Sequence, residues 1–562
     1  MKRVVFVGLD GLEPTLAEAM MQAGALPHLS KLRHEGIWCR LQDYDDYRIG
    51  LVWEEFVLGT NADSNQRWSA LAFDPQTYRI QKIGAGHTPP FYKTDPPLQV
   101  IAFDVPYVNL NHDIAGALIT GWGAHDPGYP RASKPMGLLK EIDERFGPHP
   151  ACNNDYAIVW HRPEACERLT SALIQGAKRR AQVANWLQTQ VEDWDLLMTV
   201  MSEGHSAGEQ LWHGLTDETP LAKAESAAAA GQQIKDVYCA IDEAIGLIAA
   251  GLPEDTALVL ASLHGMDVNK ADLASMLMLP EFLYRLDFQR PFLGNPVDPV
   301  QWKSAACPFL PVPPHKNWGQ YIHTCLNNDQ LKAIKTLIKQ RKKAAGPCPA
   351  TPTMGPAFEG ALGIAIPQES ALSPQEIGVE IKEVDWQPSA WYSPVWPQMR
   401  VFALPTFYDG RIRLNVKDRE RQGCIEPDDY HRVCDEIEQE LRACIDVRTG
   451  RPMVREILHL RTDAPLDPQG PDADLVVVWD VVSDAMAHPK TGVIGPFPFR
   501  RSGGHSPHGF LSITGPGIGA TELEARSARD LPPTLLRLLN RSASRPLDGT
   551  AIPESLMGLV AQ

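Results

Sequence analysis

The chain has 562 residues, 44% of them hydrophobic and 22% charged, with a formal net charge of -16. Such proportions describe a soluble globular protein, built as several average domains or as one large α/β domain with insertions. The acidic balance argues against a nucleic-acid polymer as partner, because phosphate backbones are held by clustered Lys and Arg, and the single basic run, Lys339 to Lys343, reads as a solvated helix end.

In chain order, Val4 to Leu9 is a short continuous apolar run, the pattern of a strand buried on both faces of a parallel sheet. An amphipathic helix follows from Thr15 to Ala23. Further strands are expected at Val100 to Val105, Leu196 to Met201 and Ala257 to Ala261, the last preceded by a helix from about Gln232 to Ala250. Two more lie at Asp474 to Trp479 and Gly509 to Thr514. Strands alternating with helices predict an α/β fold, a mostly parallel sheet flanked by helices. Proline is dense in 291–314 and 388–397, so residues 267–399 read as an inserted cap subdomain, with a helix at Cys325 to Lys343. The core is then expected in two parts, 1–266 and 400–562.

No stretch approaches the roughly 18 apolar residues of a membrane span, so no membrane partner is expected. The ten cysteines are scattered without a CxxC, and residue 4 already enters a strand with no signal-peptide pattern before it. Reduced thiols and a cytoplasmic location are the expectation.

Two places carry candidate chemistry. Asp10 directly follows the first buried strand, at the sheet edge where open α/β folds place ligands; capping of the next helix is the plainer alternative. His205 and Glu209 follow the Leu196–Met201 strand. If that segment is helical, a spacing of four puts both side chains on one face, able to chelate one cation or simply to hydrogen-bond.

The landmarks Val4–Gly11, Leu26-Pro27-His28-Leu29, Asp104-Val105-Pro106-Tyr107, Arg411–Glu420, Gly503-Gly504-His505-Ser506-Pro507-His508-Gly509 and Asp548-Gly549 occur in an order that resembles the alkaline phosphatase superfamily, in particular its type I phosphodiesterase/nucleotide pyrophosphatase branch. The resemblance implies an alkaline phosphatase-like fold, two metal ions and a Thr or Ser nucleophile. It matches Asp10 and His264 to the first metal site, and His205, Glu209 and His505 to the second; with that first site incomplete, Asp10 or His264 is expected to act as the base, as Glu54 or Glu55 could, or to hold a weaker second ion. His505 is preferred to His508 by the Gly-x-His-x-x-x-Gly pattern. His213, four residues after Glu209, is expected to pack beside the site.

This chain departs from that pattern. The second site keeps a carboxylate and an imidazole with their order reversed. Leu263 stands where the first site needs an Asp, and a hydrocarbon cannot ligate. The nucleophile position, ten residues before Gly59 in the segment marked by Trp53 and Phe56, is Ile49; an alignment slip would substitute Tyr47 or Thr60. Glu54 and Glu55 are nearby carboxylates, readable as an extra ligand, a general base or the polar face of a first helical turn. Two imidazoles and one carboxylate with open positions suit a divalent ion, zinc or non-haem iron, with manganese a further candidate. Three functions follow. The first is a metallohydrolase of a phosphorus ester (phosphodiester, nucleotide or phosphonate) acting through a metal-bound water. The second is a repurposed mononuclear metalloenzyme on a non-phosphate small molecule. The third is a non-catalytic binding protein. Oligomeric state is not legible.

Overall fold

The computed structural model describes residues 2–42, 51–82, 88–123, 131–151, 160–294, 302, 322, 324–326, 388–406, 408–461, 463–553 and 555. Two compact units emerge. The first comprises 1–70, 83–269 and 501–562, and the second comprises 71–82 and 270–500.

The first unit is organised by a nine-stranded sheet. Its strands run across the sheet in the order Thr521–Glu522, Ile37–Gln42, His508–Thr514, Thr256–Ser262, Arg3–Leu9, Leu196–Met201, Gln99–Phe103, Ala115–Thr120 and Ala132–Lys134. The five from Thr256–Ser262 to Ala115–Thr120 are mutually parallel, while His508–Thr514 and Ala132–Lys134 run against their neighbours. Val4 to Leu9, Leu196 to Met201 and Thr256 to Ser262 are buried at every residue. That burial is why their sequences read as unbroken apolar runs and not as alternations. The long helices Pro163–Leu187 and Ala227–Ala250 pack on each other. The helix Val52–Leu58, buried at every residue, ends at Gly59, whose φ of 64° closes it in the left-handed conformation that glycine adopts at no steric cost. Phe56 stacks on Phe6 of the central strand with ring centroids 4.6 Å apart.

The second unit has its own antiparallel sheet, in the order Val401–Leu404, Gly410–Leu414, Leu475–Trp479 and Val454–His459. The strand expected at Asp474 to Trp479 is present, but it pairs antiparallel with Gly410–Leu414 and Val454–His459 instead of joining the parallel sheet. It is buried at all five positions, and an all-apolar strand carries no mark of which sheet will cover it. Residues 401–500, expected in the core, therefore cluster with the second unit, as does the hairpin Leu71–Asp74/Arg79–Lys82. Most of the expected helix Cys325–Lys343 lies outside the described residues.

Candidate metal centre

Three strand ends of the parallel sheet deliver the candidate groups. Asp10 follows Arg3–Leu9, and its backbone N–H donates to the Met201 carbonyl at 3.2 Å, which ties it to the neighbouring strand end. From there the helix Glu203–Leu211 starts, and all nine of its residues are buried. His205 and Glu209 share one face of it, as the i, i+4 spacing requires. His264 follows Thr256–Ser262.

His505 arrives from 300 residues away. It sits on a two-stranded antiparallel ribbon in which Gly265–Val268 pairs with Gly503–Ser506 and Met266 lies opposite His505. The ribbon can approach the helix because Gly503 has no side chain, since a Cβ there would lie 2.1 Å from the Gly208 carbonyl oxygen. Ser502 donates its backbone N–H to the Glu209 carbonyl at 2.8 Å and fixes the approach.

The result is a convergence of His205, Glu209 and His505, each offering a ligand atom within 4.8 Å of the others. His205 Nε2 is 2.7 Å from His505 Nε2 and 3.9 Å from Glu209 Oε1. Two nitrogens bound at about 2.05 Å to a tetrahedral ion stand about 3.3 Å apart, so accommodating one requires the rings to part by about 0.6 Å. The donor set, two imidazoles and a carboxylate, otherwise fits a divalent ion with coordination positions left open. Arg501, 4% exposed, is salt-bridged to Glu209 Oε1 and offsets its charge. Arg501 is a residue that sequence reading missed; its only mark was an Arg-Arg pair shortly before His505.

Asp10 and His264 also meet. His264 Nε2 lies 3.0 Å from Asp10 Oδ1, and both residues are buried. The same oxygen accepts the indole N–H of Trp53 at 2.6 Å. The His264 ring is stacked on His505 with centroids 4.0 Å apart and planes at 23°.

Other expectations resolve individually. Glu54 is buried and engaged by Arg67, whose Nη2 donates to Oε2 at 2.7 Å and whose Nε also meets the carboxylate. A carboxylate held at both oxygens by a guanidinium is poorly placed to take up a proton or a metal, so the ligand and base roles considered for Glu54 do not match its surroundings. Glu55 is buried on the same helix. Among the described residues the metal-type cluster is formed by His205, Glu209 and His505, without Glu54 or Glu55. Ile49 and Tyr47 lie outside the described residues. Thr60 follows Gly59 at the far end of the Val52–Leu58 helix, about 10 Å along the axis from Trp53. His508 is exposed at the start of its strand, opposite Gln42. His213 is buried beside the cluster, with Nε2 2.9 Å from Ser226 Oγ and Nδ1 3.3 Å from Ser502 Oγ. Burial pushes its pKa down to about 4.

The start of the helix that carries His205 and Glu209 is anchored by a buried charge network. Arg180, fully buried, donates from Nη1 to Asp104 at 2.8 Å, from Nε to Glu203 at 3.1 Å and from Nη2 to Ser202 Oγ at 3.1 Å. His149 Nε2 lies 2.8 Å from the same Glu203 oxygen. Burial, the largest single influence, would raise Glu203, but Arg180, His149 and a backbone N–H together outweigh it and hold the carboxyl below its ordinary range.

A mostly parallel sheet flanked by helices, whose strand ends bring carboxylates and imidazoles together, makes the first unit a mixed α/β fold with its candidate site at the sheet edge. Residues 59–298 match the model of the Type I phosphodiesterase / nucleotide pyrophosphatase family. The matched segment contains His205, Glu209 and His264, and it leaves out Asp10, Trp53 and His505. No curated protein matches the sequence. Among solved structures, an inactive murine ectonucleotide pyrophosphatase / phosphodiesterase 5 in complex with AMP is 11% identical, with 98% of each chain covered and a TM-score of 0.46. The human ectonucleotide pyrophosphatase / phosphodiesterase 5 is 11% identical, covering 98% of this chain and 97% of that one, with a TM-score of 0.44. A mutant of the alkaline phosphatase PafA is 10% identical, with 98% of each chain covered and a TM-score of 0.45.

Proposed function

We propose that this chain is a metal-dependent hydrolase of a phosphorus ester, of the phosphodiester, nucleotide or phosphonate class, with one divalent ion held by His205, Glu209 and His505. The observation that carries the reading is the convergence of these three ligand atoms within 4.8 Å at the strand ends. When bound, such an ion supplies a Lewis acid that polarises a phosphoryl oxygen and makes a water acidic enough to attack at neutral pH.

The protein's own residues do the rest. Glu209 and the two imidazoles orient the ion. Arg501 keeps a guanidinium beside the Glu209 carboxylate, and the same group suits a phosphoryl oxygen, which it can meet with paired N–H donors. The Ser502 backbone N–H and the neighbouring His213 brace the end of the ligand helix. The absence of Thr or Ser at Ile49 leaves direct attack by water as the route, without a covalent phosphoryl-enzyme stage.

The test is metal analysis of protein purified without chelator, aerobically and anaerobically, followed by turnover of aryl phosphodiesters and phosphonates by the loaded protein. One bound zinc, iron or manganese with diester turnover, both lost in His505→Ala, is the expected result. A well-metallated protein inert towards every phosphorus ester would favour a second reading, a repurposed mononuclear metalloenzyme. The two-histidine, one-carboxylate set is what favours that alternative, because it also suits iron(II) oxygen chemistry.

A further inference from the structure

A second ion, the partner expected in a two-metal clamp, would have to be held by Asp10 and His264, and the surroundings of Asp10 do not fit one. Its Oδ1 accepts the Trp53 indole N–H at 2.6 Å and faces His264 Nε2 at 3.0 Å. An indole N–H is only a donor and cannot ligate a cation. It also points a partial positive charge at the lone pair a cation would need. At this length and on a carboxylate, the bond belongs to the strong, charge-assisted kind.

Trp53 is built into this position. It is 3% exposed and packs edge-on against Phe56, with centroids 5.8 Å apart and planes at 84°. On its other side the central strand gives way to it at Gly8, where a Cβ would stand 2.3 Å from the Trp53 Cη2. Only glycine at that strand position admits the ring. Leu263, next to His264 in the chain, is 2% exposed, offers no ligand atom and belongs to the same hydrophobic cluster as Trp53 and Phe56. A packed N–H donor therefore stands on Asp10 Oδ1, and of the groups matched to a second ion only Asp10 and His264 carry ligand atoms.

We propose that Asp10 does not hold a second cation in this protein: Trp53 and His264 share its Oδ1, Leu263 adds no ligand, and the chain works with a single ion. Asp10 is then a positioning residue. It holds His264 in the plane stacked against His505, and so fixes the ring that completes the ion's ligand set. The inference rests on the proposed function for the identity of the ion site, and on Trp53 for everything else.

Two independent readouts test it on the full chain. Metal content after saturation with zinc should be one ion per chain in wild type and in Asp10→Asn, with affinity in Asp10→Asn lowered by roughly 10-fold because the positioning of His264 is loosened, and none in His505→Ala. In parallel, protein labelled with nitrogen-15 at tryptophan gives an indole N–H signal for Trp53, identified by its loss in Trp53→Phe. That signal should hold its position as zinc is added and move upfield in Asp10→Asn, where the charged acceptor is gone. Two ions in wild type, loss of an ion in Asp10→Asn, or a Trp53 signal displaced by zinc would overturn the inference. Should wild type bind no ion at all, the functional reading fails, and the response of the Trp53 signal to Asp10→Asn still decides the inference. A shift supports it and no shift overturns it.

Discussion

The Nε2 atoms of His205 and His505 lie 2.7 Å apart across 300 residues of chain. Two ring nitrogens at that distance form one bond, with a proton on one and the lone pair of the other accepting it. A bound ion would take the place of that proton and spread the rings. Replacing His505 with Ala removes one of three protein ligands, and two remaining groups rarely retain a divalent ion. Affinity should fall by on the order of 100-fold or more, since even losing a group that only supports a ligand costs 10–100-fold. Equilibrium dialysis with metal analysis measures it; unchanged affinity would rule the site out.

An ion at the proposed site would compete with Arg501 for the Glu209 carboxylate. Without an ion, Arg501→Gln leaves Glu209 buried beside no cation, which should cost about 3 kcal/mol of stability. With zinc present the ion takes over that charge, so the deficit should shrink and zinc should bind more tightly than in wild type. Denaturant unfolding of both proteins with and without zinc checks this. An identical deficit under both conditions would mean that Arg501 and the ion do not share Glu209.

His213 predicts a pH window. Its folded pKa is about 4 because burial disfavours the charged ring, against an ordinary value of 6.5. Between those values the unfolded chain binds a proton that the folded chain refuses, so stability falls as pH is lowered from 6.5 towards 4. The difference of pKa corresponds to about 3 kcal/mol over the window. His213→Gln keeps a donor for Ser226 and removes the titration. Its stability should lose that much less on acidification, as read by unfolding midpoints at pH 7, 5.5 and 4.

How much of this was legible depends on how local each signal was. The strands Val4–Leu9, Leu196–Met201 and Thr256–Ser262 announced themselves because burial on both faces leaves an unbroken apolar run. His205 and Glu209 were legible through helical spacing, and His505 only through resemblance, since no local pattern reports a partner 300 residues away. Trp53 was noticed as a landmark, yet its bond to Asp10 depends on a notch at Gly8 that composition cannot reveal. Arg67 was invisible as the partner of Glu54 for a similar reason. The two lie 13 residues apart on either side of a turn, at no helical or strand period. The Leu475–Trp479 strand was found and given the wrong partners, because apolar strands do not encode which sheet receives them.

This chain differs at two positions from enzymes that attack phosphorus with a side chain. Ile49 offers no nucleophile, and Leu263 sits in the hydrophobic cluster with Trp53 and Phe56. Supplying the missing groups as Ile49→Thr and Leu263→Asp should therefore not create a phosphatase. The carboxylate that Leu263→Asp introduces would be buried against hydrocarbon, at a cost of several kcal/mol, while the Trp53 indole still donates to Asp10 Oδ1. A second ion should appear only when Trp53→Phe is added to that pair of changes. Ion counting on the double and triple variants, beside assays with aryl phosphomonoesters, reads this directly. In the wild type, any hydrolysis should proceed in one displacement by water, so a diester made chiral at phosphorus should react with inversion. Retention of configuration, or a phosphorylated residue trapped during turnover, would show two displacements and overturn the mechanism.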